Sequence, residues 1–212
     1  MPVDLHGYKY SVYAWIARFV LHEKGVDYRW VEVDPFADDV SADYLAMHPF
    51  CRVPTLADGD FVLYETGAIT RYIDEAFEGP ALQPGQPRER ARMCQIISIV
   101  DSYAYWPLVR QVFSHGFFGP RMERTSDPAE FRQGLEAAPR VLGALEGLAG
   151  GGPFLIGDAP SLADLHLAPM IAYFVMTEDG RTIFDRHERL QTWWRSISGR
   201  SAFAETKPDL TG

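Results

Sequence analysis

The N-terminal part of the chain switches between two hydrophobic periods. Val3-Asp4-Leu5-His6 steps by two, as a half-buried strand does, and Val12, Trp15, Ile16, Phe19 and Val20 then recur at helical spacing until Gly25 stops the run. Tyr28 to Val33 mixes aromatic and β-branched residues and ends before Pro35, which predicts a second strand and, with the helix between, a βαβ unit. A short helical stretch near Ser41 to Met47 follows. Pro54 to Ala57 and Phe61 to Tyr64 flank Asp58-Gly59-Asp60, a hairpin signal, and Ile69, Tyr72, Ile73 and Phe77 mark a closing helix. The order β-α-β, short α, β-β-α packs as a small mixed sheet covered by helices.

Gly79-Pro80 and Pro84-Gly85-Gln86-Pro87 punctuate the chain, and beyond them strand signals vanish. Helical patterns run over 88–118, 128–149, 161–177 and 188–198, with Gly150-Gly151-Gly152-Pro153 as a stop between two of them. Ser161-Leu162-Ala163-Asp164 has the form of a helix start, and the helix it opens is apolar nearly all round, hence buried. The expected organisation is α+β: residues 1–79 as a sheet domain covered by helices, 80–87 as a linker and 88–212 as an all-helical domain.

Composition narrows the partners. The 212 residues are 47% hydrophobic and 13% aromatic, enough to fill a core, and 20 Lys+Arg against 29 Asp+Glu leave a net charge of −9. That balance argues against nucleic acid, whose phosphates demand clustered cations. Two cysteines, Cys51 and Cys94, make no disulfide framework and suit a reducing compartment. Met1-Pro2-Val3-Asp4 has no basic stretch leading into an apolar one, and the apolar run from Leu167 to Met176 is about half of what a membrane span needs. These features point to a cytoplasmic protein without a membrane partner. Metal-ligand spacings, the dinucleotide and Walker glycine patterns and the Gly-x-Ser-x-Gly elbow are all missing, so no metal is expected and nucleotide or serine-hydrolase chemistry is disfavoured.

Three short segments carry candidate chemistry. Pro54 is either a plain strand-entry proline or a cis-proline turn that leaves the amide and carbonyl of Val53 free to pair with an extended peptide. At Glu65-Thr66-Gly67 a strand meets a helix. Thr66 is either a simple N-cap or part of an anion site at the helix start, with the Glu65 carboxylate beside it; the pair would suit an α-amino-acid end. Ser11 precedes the first helix as a plain N-cap or as a hydroxyl donor aimed at a sulfur or oxygen anion; Ala14 three residues on gives no reciprocal capping box.

Together these segments resemble the soluble, cytosolic glutathione transferases, in particular a serine-type bacterial-like member. The likeness runs from Leu5-His6-Gly7 through Ser11 to Glu23-Lys24-Gly25, through His48-Pro49-Phe50-Cys51-Arg52-Val53-Pro54-Thr55-Leu56, and on to Glu65-Thr66 and Arg71-Tyr72; Phe154 to Asp158 with Ser161 to Asp164 extends it into the helical half. The resemblance implies a thioredoxin-like N-terminal domain that binds glutathione as co-substrate and a helical domain that supplies the pocket for a small hydrophobic electrophile. It further implies that Ser11 hydrogen-bonds the glutathione sulfur, that Val53 pairs with the cysteinyl part beside a cis Pro54, and that Glu65 and Thr66 take the γ-glutamyl ammonium and carboxylate. A homodimer is implied as well.

Several positions depart from the family pattern or leave alternatives open. Cys51 stands where a glycine is usual, as a reactive thiol or a small buried residue, and Thr66 replaces a more frequent serine. Asp39-Val40 lie where relatives often carry cations for the glycyl carboxylate, with Arg52 as the substitute or merely an exposed arginine. Tyr8 is the rival to Ser11. Asp101, Tyr105, Trp106, Phe113, Phe117 and Phe118 follow roughly helical spacing and read as core plus dimer interface; the functional alternative has Tyr10 and Tyr105 lining an aromatic pocket and Asp101 reaching across the dimer. Competing with transferase activity are a non-catalytic binding or regulatory protein of the same fold and a glutathione-dependent disulfide reductase or peroxidase, the reductase using Cys51.

Overall fold

The computed structural model describes residues 3–210, so the leader reading at Met1-Pro2 lies outside the described residues. In β1 (Val3–Gly7) the apolar Val3 and Leu5 are buried while Asp4 and His6 are half-exposed, the alternation expected of a strand with one face on a core. The chain then enters α1 (Val12–Lys24), which ends at Gly25: its φ of 67° lets its N–H turn back to the carbonyls of His22 and Leu21. β2 (Tyr28–Glu32) runs parallel to β1 in register Val3 with Tyr28. After α2 (Ala42–Met47), β3 (Thr55–Asp58) returns antiparallel to β1, and β4 (Phe61–Tyr64) pairs antiparallel with β3. α3 (Thr66–Ala76) closes the unit, and the sheet order is β2-β1-β3-β4.

Leu5, Trp15, Ile16, Phe19, Leu56, Ile69 and Ile73 are fully buried and form the centre of this unit, so the β1, α1, β3 and α3 patterns converge on one core. Gly7 permits the close approach of α1 and β2: a Cβ there would lie 2.5 Å from the Trp30 ring and 2.9 Å from the Ala14 methyl. Lys24, a buried cation, is satisfied by the Asp74 carboxylate at 3.1 Å and by the carbonyls of Asp74 and Pro80 at 3.1 and 3.2 Å. Residues 201–210 also belong here. The pattern reading put them with the helical part, but α10 (Ser201–Thr206) sets Phe203 against Trp15, ring centroids 5.2 Å apart, and Thr206 accepts the Trp15 indole N–H at 3.0 Å.

The second unit, residues 82–200, is helical. α4 (Pro87–Ile99) starts on a proline, which needs no N–H there, and runs into a π-wound stretch, Val100–Phe118. In that stretch Gly119 donates to the Ser114 carbonyl five residues back, and Pro107 inside it has no N–H to give. The 3.6-residue pattern of the sequence did not signal this winding. α5 (Gly119–Arg121) is a single turn, and α6 (Pro128–Leu148) is capped by Asp127, whose Oδ1 accepts from the Ala129 amide at 2.7 Å. α6 lies tight on the π-wound stretch at Gly134, where a Cβ would sit 2.8 Å from the Pro107 carbonyl.

α7 (Leu162–Phe174) is buried along its whole length, as its all-round apolar sequence requires. It ends at Phe174 rather than 177; Thr177 instead caps a separate helix, α8 (Glu178–Phe184), its Oγ1 accepting from the Gly180 amide at 3.0 Å. α9 (Glu188–Ser198) follows. The start of α7 hangs on Asp164, which is fully buried. Its carboxylate accepts from the Ser161 amide and hydroxyl at 2.7 Å each, from the Leu155 amide at 2.7 Å and from the Trp193 indole at 2.9 Å. Burial pushes this carboxyl above the ordinary carboxylate range against the pull of those four donors.

Candidate functional site

Strand register assembles the site. His6 at the end of β1 faces Thr55 at the start of β3, and Thr55 faces Tyr64 at the end of β4. The turn after β1, the loop before β3 and the junction after β4 therefore emerge at the same end of the sheet, and these are the three segments that hold Ser11, Arg52-Val53-Pro54 and Glu65-Thr66.

Ser11 is half-buried at the N-cap of α1. Its Oγ accepts the Ala14 amide N–H at 3.2 Å, and its own amide donates to the Tyr8 carbonyl at 2.8 Å. Capping uses a lone pair of the hydroxyl and leaves its proton for a second partner, so the two readings of Ser11 are compatible. Tyr8 is 8% exposed, its ring edge-on to Tyr10 at 5.4 Å and to Phe36 at 5.9 Å; Tyr10 is half-buried, with the Lys9 ammonium 4.7 Å from its ring centre.

The Val53–Pro54 peptide is cis. The loop before it is tied down by Tyr44, a residue the sequence reading passed over: buried to 3%, its hydroxyl donates to the Arg52 carbonyl at 2.5 Å and lies 3.1 Å from Thr55 Oγ1. The signal was a tyrosine on a short helix, because a buried ring with a hydroxyl needs a partner for it. Arg52 itself is exposed. Cys51 is half-buried with φ of 49°, a conformation that favours glycine. Its amide donates to the His48 carbonyl at 3.0 Å, and its thiol is a weak donor to the Pro35 carbonyl at 3.9 Å.

Glu65, not Thr66, occupies the N-cap position of α3. Its side chain makes no cap hydrogen bond, it is exposed, and its backbone is held at φ 71°, a costly conformation for a residue with a Cβ. Thr66, 7% exposed, is the first helical residue. The start of an uncapped 11-residue helix with a free-standing carboxylate beside it offers both an acceptor for an ammonium and N–H donors for a carboxylate. Asp39 is exposed and Val40 half-buried in the loop between β2 and α2.

In the helical unit Asp101 and Tyr105 lie about one turn apart on the π-wound stretch. The Asp101 carboxylate meets Nε2 of the fully buried His166 at 3.0 Å, and Tyr105 is half-buried. Among the described residues no group of three His, Cys, Asp or Glu side chains could hold a metal ion, and no helix is long and apolar enough to cross a membrane.

A thioredoxin-like sheet unit with this site, followed by a helical unit, defines the class of fold, and comparison with known proteins gives the family. Models described as the N-terminal and the C-terminal domain of glutathione S-transferase match residues 5–81 and 128–195. Glutathione S-transferase F13 of Arabidopsis thaliana is 32% identical over 216 residues, covering 100% of this chain and 97% of that protein. Among solved structures, glutathione S-transferase-I bound with lactoylglutathione superposes with a TM-score of 0.85 at 26% identity, covering 97% of this chain and 98% of that one. A theta-class enzyme from Xanthomonas axonopodis pv. citri with glutathione bound gives 0.84 at 26%, covering 100% of both. The chain belongs to the glutathione S-transferase family. Its relatives include plant and bacterial proteins, so the narrower bacterial-like assignment is not what the comparisons select.

Proposed function

We propose that this chain is a glutathione transferase that uses Ser11 to hold the glutathione sulfur as a thiolate for attack on a small hydrophobic electrophile. The observation that carries the reading is the row His6, Thr55, Tyr64, which gathers a helix-start hydroxyl, a backbone edge beside a cis proline and a carboxylate beside an uncapped helix at one end of the sheet. These three groups are the complement of a γ-glutamyl-cysteinyl peptide. Glu65 would accept the ligand ammonium, the α3 start with Thr66 would take its α-carboxylate, Val53 would pair with the cysteinyl backbone, and Arg52 would meet the glycyl carboxylate.

Chemically the task is small and specific. A thiol with an ordinary value near 8.5 is about 3% ionised at pH 7, and lowering it by about two units, worth about 2.7 kcal/mol, makes most of it thiolate. One hydroxyl donor at a helix start, where the dipole also favours an anion, is of that order. The thiolate then forms the carbon–sulfur bond as the electrophile's leaving group departs, and the thiol proton passes to solvent.

Tyr10 and Tyr105 are assigned to the electrophile's pocket, and Asp101 to a contact across a homodimer. A glutathione-binding domain built on residues 1–79, to which residues 201–210 return, a linker (80–87), a helical domain running from residue 88 to residue 200, and a cytoplasmic location complete the proposal. Phe50, Phe61 and Val62 are exposed on the sheet unit, apolar side chains that a homodimer would cover. The test is Ser11→Ala assayed with glutathione and a chloronitroaromatic substrate. Turnover should fall tenfold or more while retention on a glutathione-affinity column persists; unchanged turnover at saturating glutathione would move the thiol-activating role to Tyr8.

A further inference from the structure

His48 is a buried titratable group for which the proposed chemistry has no use. It is 2% exposed, and its Nδ1 meets no hydrogen-bond partner. The backbone on both sides of it is fixed: its amide closes α2 on the Tyr44 carbonyl at 2.9 Å, and its carbonyl accepts the Cys51 amide at 3.0 Å. The imidazole lies on the Tyr64 ring, centroids 4.6 Å apart and tilted by 32°, with Phe50 at 6.2 Å and Tyr44 at 6.5 Å. Tyr64 is the residue before Glu65, so the ring backs directly onto the segment whose strained backbone presents the carboxylate. The charged groups within electrostatic reach of the ring are Glu65, which favours a proton on it, and Arg52, which opposes one; burial disfavours the proton more strongly than either acts.

We propose that His48 is a positioning residue for the amino end of glutathione: as a neutral imidazole against Tyr64 it leaves the Glu65 carboxylate to the ligand's ammonium, and a proton on the ring competes with that ammonium for Glu65. The inference rests on the assignment of Glu65 to the ammonium. A ligand that neutralises Glu65 removes the one charge that favours protonated His48, so ligand and proton weaken each other's binding by the same factor.

The probe is S-methylglutathione, which has no thiol to titrate and whose carboxylates and amine keep their charges between pH 5 and 7. Calorimetry on the full chain should give a dissociation constant that rises about three- to tenfold from pH 7 to pH 5. In His48→Asn and His48→Phe, the second of which keeps a ring on Tyr64, that ratio should fall to near one, each variant being read against its own value at pH 7. In the unaltered protein, the His48 imidazole resonances, identified by their loss in His48→Asn, should titrate at lower pH with the ligand bound than without it. A pH-independent affinity, a ratio that persists in both variants, or an unmoved titration would overturn the role of His48 alone. No binding of S-methylglutathione at pH 7 would remove the glutathione site itself, and this inference with it.

Discussion

Tyr44→Phe isolates what the loop before β3 owes to one hydroxyl. The tyrosine oxygen donates to the Arg52 carbonyl at 2.5 Å and pairs with the hydroxyl of Thr55, which is fully buried. Phenylalanine keeps the ring and removes both contacts. Two hydrogen bonds at about 1 kcal/mol each, with the Thr55 hydroxyl left unsatisfied in a dry site, give an expected loss of about 2–3 kcal/mol. For a chain of this length that lowers the melting temperature by about 4–12 °C. The Arg52 carbonyl is one peptide from Val53, so the backbone edge assigned to the cysteinyl part becomes loose. The KM for glutathione should rise several-fold with kcat within a factor of two, the signature of lost ground-state binding. Circular-dichroism melting and steady-state kinetics measure the two halves, and a cycle with Thr55→Val should return a coupling of about 1 kcal/mol. A melting temperature within 1 °C of the parent together with an unchanged KM would refute the reasoning.

Three further outcomes follow from the geometry. Asp164→Ala strands four buried donors and should cost about 3–5 kcal/mol, read as a lower urea midpoint and a poor soluble yield, with Asp164→Asn intermediate; a loss below 1 kcal/mol would refute the buried hub. Cys51→Gly should relieve the left-handed strain and stabilise by about 1 kcal/mol with transferase activity retained, whereas loss of activity would give the thiol a part in catalysis. Burial holds both His6 and His48 below the ordinary histidine value, so the unfolded chain takes up their protons first: stability should be flat above neutral pH and fall as pH drops below about 6.5, and a melting temperature higher at pH 5 than at pH 7 would contradict this.

The sheet unit could be read from the sequence because its elements are short, strongly periodic and sharply punctuated. Gly25 and Pro35 bound the first helix and second strand, and Asp58-Gly59-Asp60 sits between two apolar runs, with Gly59 at φ 63° in the turn. Ser161 and Asp164 announce the buried helix start for the same reason, since a cap is a local hydrogen-bond problem solved by neighbours in sequence. The site segments could be named because their residue types state their chemistry: a hydroxyl before a helix, a proline before a strand, a carboxylate before a helix.

What the sequence alone could not decide was everything that depends on partners distant along the chain. Tyr44 reaches across the loop to Arg52 and Thr55, His48 is buried against Tyr64, and residues 201–210 return to Trp15; no local period encodes such encounters. The winding of Val100–Phe118 and the strained backbone of Cys51 and Glu65 are set by packing around them, not by propensity. The chain by itself determined the elements of the sheet unit and which groups could do chemistry. Only the pairing of β1 with β3 and of β3 with β4 brought three of those groups to one end of the sheet, because register is a contest among non-local side-chain burials that a single strand cannot resolve.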